Sequence, residues 1–224
     1  MDKNIKICIV GGTQNGSTRL FNLIRLIYES KLKKVYSRWK IYNFNELNDY
    51  DVVISKVHDI DLSYLDNFDF VLLPIRNVID SAFSWYKRFY KKNNDDLILS
   101  FKKKCYENID LFYKFKQHSN YIFKYENYSM KEIKNLLVVL KINLTTIEIA
   151  DVMKKINNML YDKNIIKYDD FTYKDNGYKK TLMTQSHNTS NGISNKFVYL
   201  KDNIIKQLFT DKKIEDFLNI CEYL

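Results

Sequence analysis

Apolar positions along the chain follow two periods in alternation. Four short apolar runs read as buried strands: Lys6 to Val10, "DVVISKVH" (Asp51 to His58), "FDFVLLPIR" (Phe68 to Arg76) and "NYIFKYENY" (Asn120 to Tyr128). Between them the spacing changes to that of a helix. Leu20, Leu23, Ile24 and Ile27 recur on one face from Ser17 onward, and similar patterns cover Ile79 to Tyr90, Leu97 to Phe115, Ser129 to Leu140, Thr146 to Leu160 and Asp211 to Leu224. Strands that alternate with helices predict an α/β fold, a three-layer α/β/α sandwich around a mostly parallel central sheet. No repeat or linker divides the pattern, so residues 1–224 are expected to form a single domain. Periodicity fades from Tyr161 to Phe197, where "TQSHNTSNGISNKF" (Thr184 to Phe197) reads as a long polar loop, functional or disordered.

Composition narrows the classes. With 46% hydrophobic and 15% aromatic residues the chain can bury a substantial core. It has no apolar run of membrane-spanning length and no signal-peptide pattern, which predicts a cytoplasmic protein without a transmembrane segment. Cys8, Cys105 and Cys221 are far apart and lack metal-ligand spacing, so they read as reduced core residues and no metal is expected. The net charge of +9 raises the question of nucleic acid. Of the 36 basic residues, however, only Arg19, Arg25, Arg38, Arg76 and Arg88 are arginines, and the lysines are scattered. That distribution favours an anionic small ligand over a dedicated nucleic-acid surface.

Candidate chemistry begins at the first strand's end. "GGTQNGST", Gly11 to Thr18, fits the phosphate-loop frame G-x-x-x-x-G-K-[ST] except that Ser17 stands where the lysine belongs. A glycine turn opening a helix offers backbone N–H groups to an anion, and Ser17 and Thr18 add hydroxyls. The same stretch also reads as a plain strand-to-helix turn capped by Ser17.

A second motif, "LLPIRNVIDSAFSWYKRF" (Leu72 to Phe89), resembles a signature of the sulfotransferases that use 3′-phosphoadenosine 5′-phosphosulfate, roughly R-D-P-x-D-x-x-x-S. Arg76, Asp80 and Ser84 match it; Asn77 and Val78 depart from its Asp-Pro. The first loop is similar to that family's P-[KR]-S-G-[TS]-T-W-L through Gly16, Ser17 and Thr18. "SKVHD" (Ser55 to Asp59) looks like its K-[TS]-H segment, and "KYENY" (Lys124 to Tyr128) like its Y-E-D-L strand end. The likeness runs in family order over residues 5–128 and is looser beyond.

The resemblance implies a nucleotide-binding α/β fold and transfer of a sulfuryl group from that donor to a hydroxyl or amine on a small-molecule, carbohydrate or protein acceptor. Asn15, Gly16, Ser17, Thr18 and Arg19 would line the 5′-phosphosulfate. Arg76 and Ser84 would hold the 3′-phosphate, with Gly192 and Lys196 closing over the nucleotide. His58 would be the general base, with His187 a second candidate, and Lys56 a cation for the sulfuryl oxygens. Gln14 stands where the family has a lysine or arginine, so its amide would donate without charge. Arg19 replaces the family's tryptophan and could return a cation to the loop. Other readings stay open at this stage: an Arg76–Asp80 surface ion pair, Ser84 as a helix-face hydroxyl, and His58 and Lys56 as ordinary strand-end residues. At the level of function the alternatives are a catalytically impaired homologue of the same fold, a nucleotide kinase, or a basic nucleic-acid-binding protein.

Overall fold

The structure, a computed structural model, describes residues 4–89, 97–161, 182 and 200–223. Five strands, β1 Ile5–Val10, β2 Val35–Trp39, β3 Val52–Val57, β4 Phe70–Ile75 and β5 Tyr121–Lys124, form one sheet in the order β2-β3-β1-β4-β5, with every pairing parallel. The helices are α1 Ser17–Ser30, α2 Val78–Phe89, α3 Leu97–Lys116, α4 Met130–Val139, α5 Thr146–Tyr161, α6 Asp202–Phe209 and α7 Lys212–Ile220.

The pleat sorts the central strands onto two cores. Ile7 and Ile9 pack with Leu20, Phe21 and Ile24 of α1, Leu136 of α4 and Val152 of α5. Cys8 and Val10 face the other way, into Ile79 and Phe83 of α2, Phe101 and Ile109 of α3, Leu208 of α6 and Phe217 of α7. Covered on both faces, β1, β3 and β4 read as continuous apolar runs. Each fully buried Ile or Leu contributes roughly 1.5–3 kcal/mol relative to an exposed one, so this double core dominates the stability of the sandwich. Burial also pushes the Cys8 and Cys105 thiols far up and the Cys221 thiol to about 11, keeping all three free cysteines protonated.

Three elements differ from the sequence expectation, the first being α6, a helix at Asp202–Phe209 that the periodicity did not predict. The edge strand β2 is half-buried to exposed along its length, so "VYSRW" lacks the apolar run that marks its neighbours. The fifth strand stops at Lys124, and Tyr125–Asn127 forms a single turn of 3₁₀ helix. Helix ends follow local chemistry. Asp211 caps α7 through Ile214 N–H, while Thr145 and Glu148 form a reciprocal capping box at the start of α5.

Candidate functional site

In a doubly wound sheet the ligand crevice lies beyond the carboxyl ends of the strands, and here the candidate residues cluster at those ends. Trp39 closes β2; Gly11, His58, Arg76 and Tyr125 each directly follow β1, β3, β4 and β5. Strand register then dictates which of them meet. Val10 pairs with Val57, so the next residues along, Gly11 and His58, are neighbours, and His58 Nδ1 lies 2.9 Å from the Gly11 carbonyl oxygen. Ile75 pairs with Lys124, which brings Arg76 beside Tyr125, its guanidinium 4.9 Å from the ring centre.

The loop after β1 is built for close approach. Gly16, the N-cap of α1, has φ 81°, and a Cβ there would overlap the Tyr125 ring. At Gly12 a Cβ would run into the Asn108 side-chain oxygen. The loop is buttressed from behind. Ser81 Oγ lies 3.0 Å from the Thr13 carbonyl and 2.9 Å from Asn15 Oδ1, and accepts from Asn108 Nδ2 at 2.9 Å. The buried Asn15 side chain is therefore tied to Ser81 through its Oδ1.

Lys56 sits on the same face of β3 as Ile54, toward α1, and its Nζ donates to Thr18 Oγ1 at 2.5 Å. It is 5% exposed, and its ammonium lies 5.6 Å from the Trp39 ring centre. Trp39 in turn packs edge-on against His58 at 4.9 Å between centroids. Gln14 adopts a left-handed backbone, φ 64°. Arg19 lies 5.5 Å from the Tyr125 ring centre. Its guanidinium stacks 3.5 Å from the Tyr128 ring centre and reaches Asn157 Oδ1 of α5 at 3.4 Å. Burial pushes the Tyr128 phenol up, and the charge of Arg19 partly counters that.

At the other end, Arg76 is no surface residue. It is 5% exposed, Nη1 donates to Ser84 Oγ at 3.2 Å, and Nη2 stands 3.8 Å from the fully buried Asp80 carboxylate. Among the described residues its Nε and Nη2 have no hydrogen-bond partner, although both are buried. Asn77, the departure from the family's Asp, caps α2: its Oδ1 accepts from Ile79 N–H at 3.0 Å and Asp80 N–H at 3.3 Å. Glu126 ties this junction to β5 by accepting the Asn77 N–H at 3.0 Å.

The structure thus gathers Gln14 to Thr18, Lys56 and His58 at one end of the crevice, and Arg76 and Ser84 at the other. Tyr125 touches both. His187, Gly192 and Lys196 lie outside the described residues. Sequence reasoning missed Ser81, Asn108 and Trp39, which only their positions at a strand end or helix face mark, and it gave Tyr125 no role beyond its place in "KYENY". On α2, Tyr86 packs against Phe101 of α3, and Trp85 lies under Lys104. Among the described residues no group of three or more His, Cys, Asp or Glu is placed to hold a metal ion, and no helix is long and apolar enough to cross a membrane.

No family model and no curated protein matches the chain. Among solved structures, the crystal structure of mouse sulfotransferase SULT7A1 complexed with PAP matches with a TM-score of 0.68 at 14% sequence identity. The match covers 98% of this chain and 87% of that one. The sandwich described above is therefore a sulfotransferase-like α/β fold.

Proposed function

We propose that the chain is a sulfotransferase that moves a sulfuryl group from 3′-phosphoadenosine 5′-phosphosulfate to an acceptor hydroxyl or amine. The observation that carries this reading is Arg76. Beyond its ion pair with Asp80, the guanidinium has two buried nitrogens without a hydrogen-bond partner among the described residues, an unfavourable arrangement that a bound anion would relieve. Its planar fork suits phosphate oxygens. Ser84 beside it supplies a hydroxyl, and the glycine loop with Lys56 supplies a second anion site across the Tyr125 ring. Two separated anion sites match a donor phosphorylated at both ends of its ribose, and the bisphosphate bound to the mouse neighbour is of that kind.

The bound donor supplies a sulfur electrophile on a phosphate leaving group. The chain's own residues orient and neutralise. The N–H groups of residues 15–18 and the hydroxyls of Ser17 and Thr18 hold the 5′ end. Lys56, already directed into the loop by Thr18, brings the positive charge that Gln14 does not. His58, with its Nδ1 proton given to the Gly11 carbonyl, presents Nε2 as the basic nitrogen, which takes the acceptor's proton as the acceptor oxygen or nitrogen bonds to sulfur. Trp39, 39% exposed beside His58, forms the wall past which an acceptor approaches. Titration calorimetry tests the assignment: adenosine 3′,5′-bisphosphate is expected to bind, and ATP with Mg²⁺ to bind far more weakly. The opposite order would replace this reading with a kinase. Gln14 motivates a second reading, a homologue that binds the nucleotide without turnover, which any sulfate transfer from labelled donor would eliminate.

A further inference from the structure

We propose that Tyr223, acting through Glu126, is a positioning residue for the Arg76 end of the site. The inference rests on the function proposed above only for what Arg76 binds. Its basis is a chain of contacts between the segment after α7 and the β4–α2 junction. Tyr223 OH donates to Glu126 Oε2 at 2.8 Å. The other oxygen of the same carboxylate, Oε1, accepts the backbone N–H of Asn77 at 3.0 Å. Asn77 immediately follows Arg76 and caps the helix that carries Asp80 and Ser84, the two side chains that orient the guanidinium.

A second clasp holds the segment in place. Lys124, the last residue of β5, donates through Nζ to the carbonyls of Cys221 at 2.6 Å and Glu222 at 3.1 Å, and lies 4.5 Å from the Tyr223 ring centre. Burial and the neighbouring Glu126 charge push the Tyr223 phenol far up, so it remains a donor at any ordinary pH, and the charge of Arg76 is felt at the same phenol.

An anion site made from one guanidinium depends on the plane of that group being fixed before the ligand arrives. Arg76 is fixed from two sides, by α2 and by the Tyr125 ring, and Glu126 is the residue that joins those sides. Removing the phenol frees one carboxylate oxygen within the field of Arg76. That oxygen can then turn toward the guanidinium nitrogens a ligand anion would use. Both consequences weaken anion binding without touching the transfer end.

Tyr121 provides the matched control. It lies on the same strand as Lys124, and its OH donates to Glu132 Oε1 at 2.8 Å, an equivalent tyrosine–glutamate bond away from the site. Two measurements on wild type, Tyr223→Phe and Tyr121→Phe test the idea. In calorimetry, Tyr223→Phe is expected to weaken adenosine 3′,5′-bisphosphate binding about fivefold, the usual effect of one lost hydrogen bond, and Tyr121→Phe to leave it within about twofold. Unchanged affinity in Tyr223→Phe, or equal losses in both variants, overturns the proposal. In arginine side-chain NMR without ligand, the Arg76 Nε–H resonance is expected to move in Tyr223→Phe and not in Tyr121→Phe. A stationary resonance overturns the positioning role whatever the calorimetry gives. If the resonance moves while wild type ignores the bisphosphate, the positioning role stands and the function proposed above falls.

Discussion

The two ends of the crevice are built by different means. At the loop end the groups are mostly backbone, set by one continuous segment, Gly11 to Thr18, with Lys56 and His58 delivered by the strand next door. At the Arg76 end a single side chain does the work, and its orientation depends on three separate stretches: α2, the turn after β5 and the segment around Tyr223. Backbone donors keep their direction as long as the turn exists. A guanidinium on a flexible stem keeps its direction only while its neighbours do. The loop end should therefore tolerate distant changes, and the Arg76 end should not. Tyr125 couples the ends, because the same ring abuts Gly16 and stacks on Arg76.

That contrast can be broken most directly at Arg76. The double variant Arg76→Ala with Asp80→Asn avoids leaving a buried carboxylate without its arginine, a defect that alone costs about 3–5 kcal/mol. It is expected to lose adenosine 3′,5′-bisphosphate by about a hundredfold or more, since charged hydrogen bonds contribute about 1.5–3 kcal/mol each; a calorimetric affinity near wild type would remove Arg76 from the site. Next in size, His58→Ala should lower kcat by about 10²–10⁴ while donor affinity is kept, which separates the ends kinetically. Full residual transfer would place the base elsewhere. Gln14→Lys sharpens the comparison from the loop side. A second cation beside Lys56 is expected to raise kcat by about tenfold or less, the scale of one added charged contact in a partly wet loop; a fall in rate would mean that the loop is adapted to the amide.

The smallest effect lies at the far end of α1, remote from both regions, and serves as a reference. Glu148 accepts from Lys31 at 2.8 Å and from Thr145, which holds its carboxyl down at about 2. Because the folded value lies below the ordinary one, its contribution is present above about pH 4.5 and is lost as pH falls toward 2. Glu148→Gln should therefore be slightly less stable at neutral pH, with the difference vanishing near pH 2 in acid-unfolding curves, and bisphosphate affinity unchanged.

Much of the fold was legible because burial leaves a direct mark. β1, β3 and β4 are covered on both faces and show continuous apolar runs, and α1 shows a clean helical stripe. β2 was not legible, because an edge strand whose residues are half-buried to exposed has no such constraint. In the site, Gly16, Ser17, Thr18, Lys56, His58, Arg76 and Ser84 could be singled out by motif, since each motif is a local spacing on one segment. The direction of Arg19 could not. A guanidinium at the start of α1 has several places to go, and the Tyr128 ring, more than a hundred residues away in sequence, decides among them.

The sequence by itself determined the order of β1, β3, β4 and β5, of the glycine loop and of every helix but α6, with the residue types at those strands' carboxyl ends, because hydrophobic period and glycine placement act within a few residues. Only the tertiary structure decided which of those ends are neighbours. Parallel pairing is set by packing across the whole sandwich, and the register that puts Val10 beside Val57 and Ile75 beside Lys124 has no local signature. That register joins His58 to Gly11 and Arg76 to Tyr125, and so brings a set of separate motifs together along one line of strand ends.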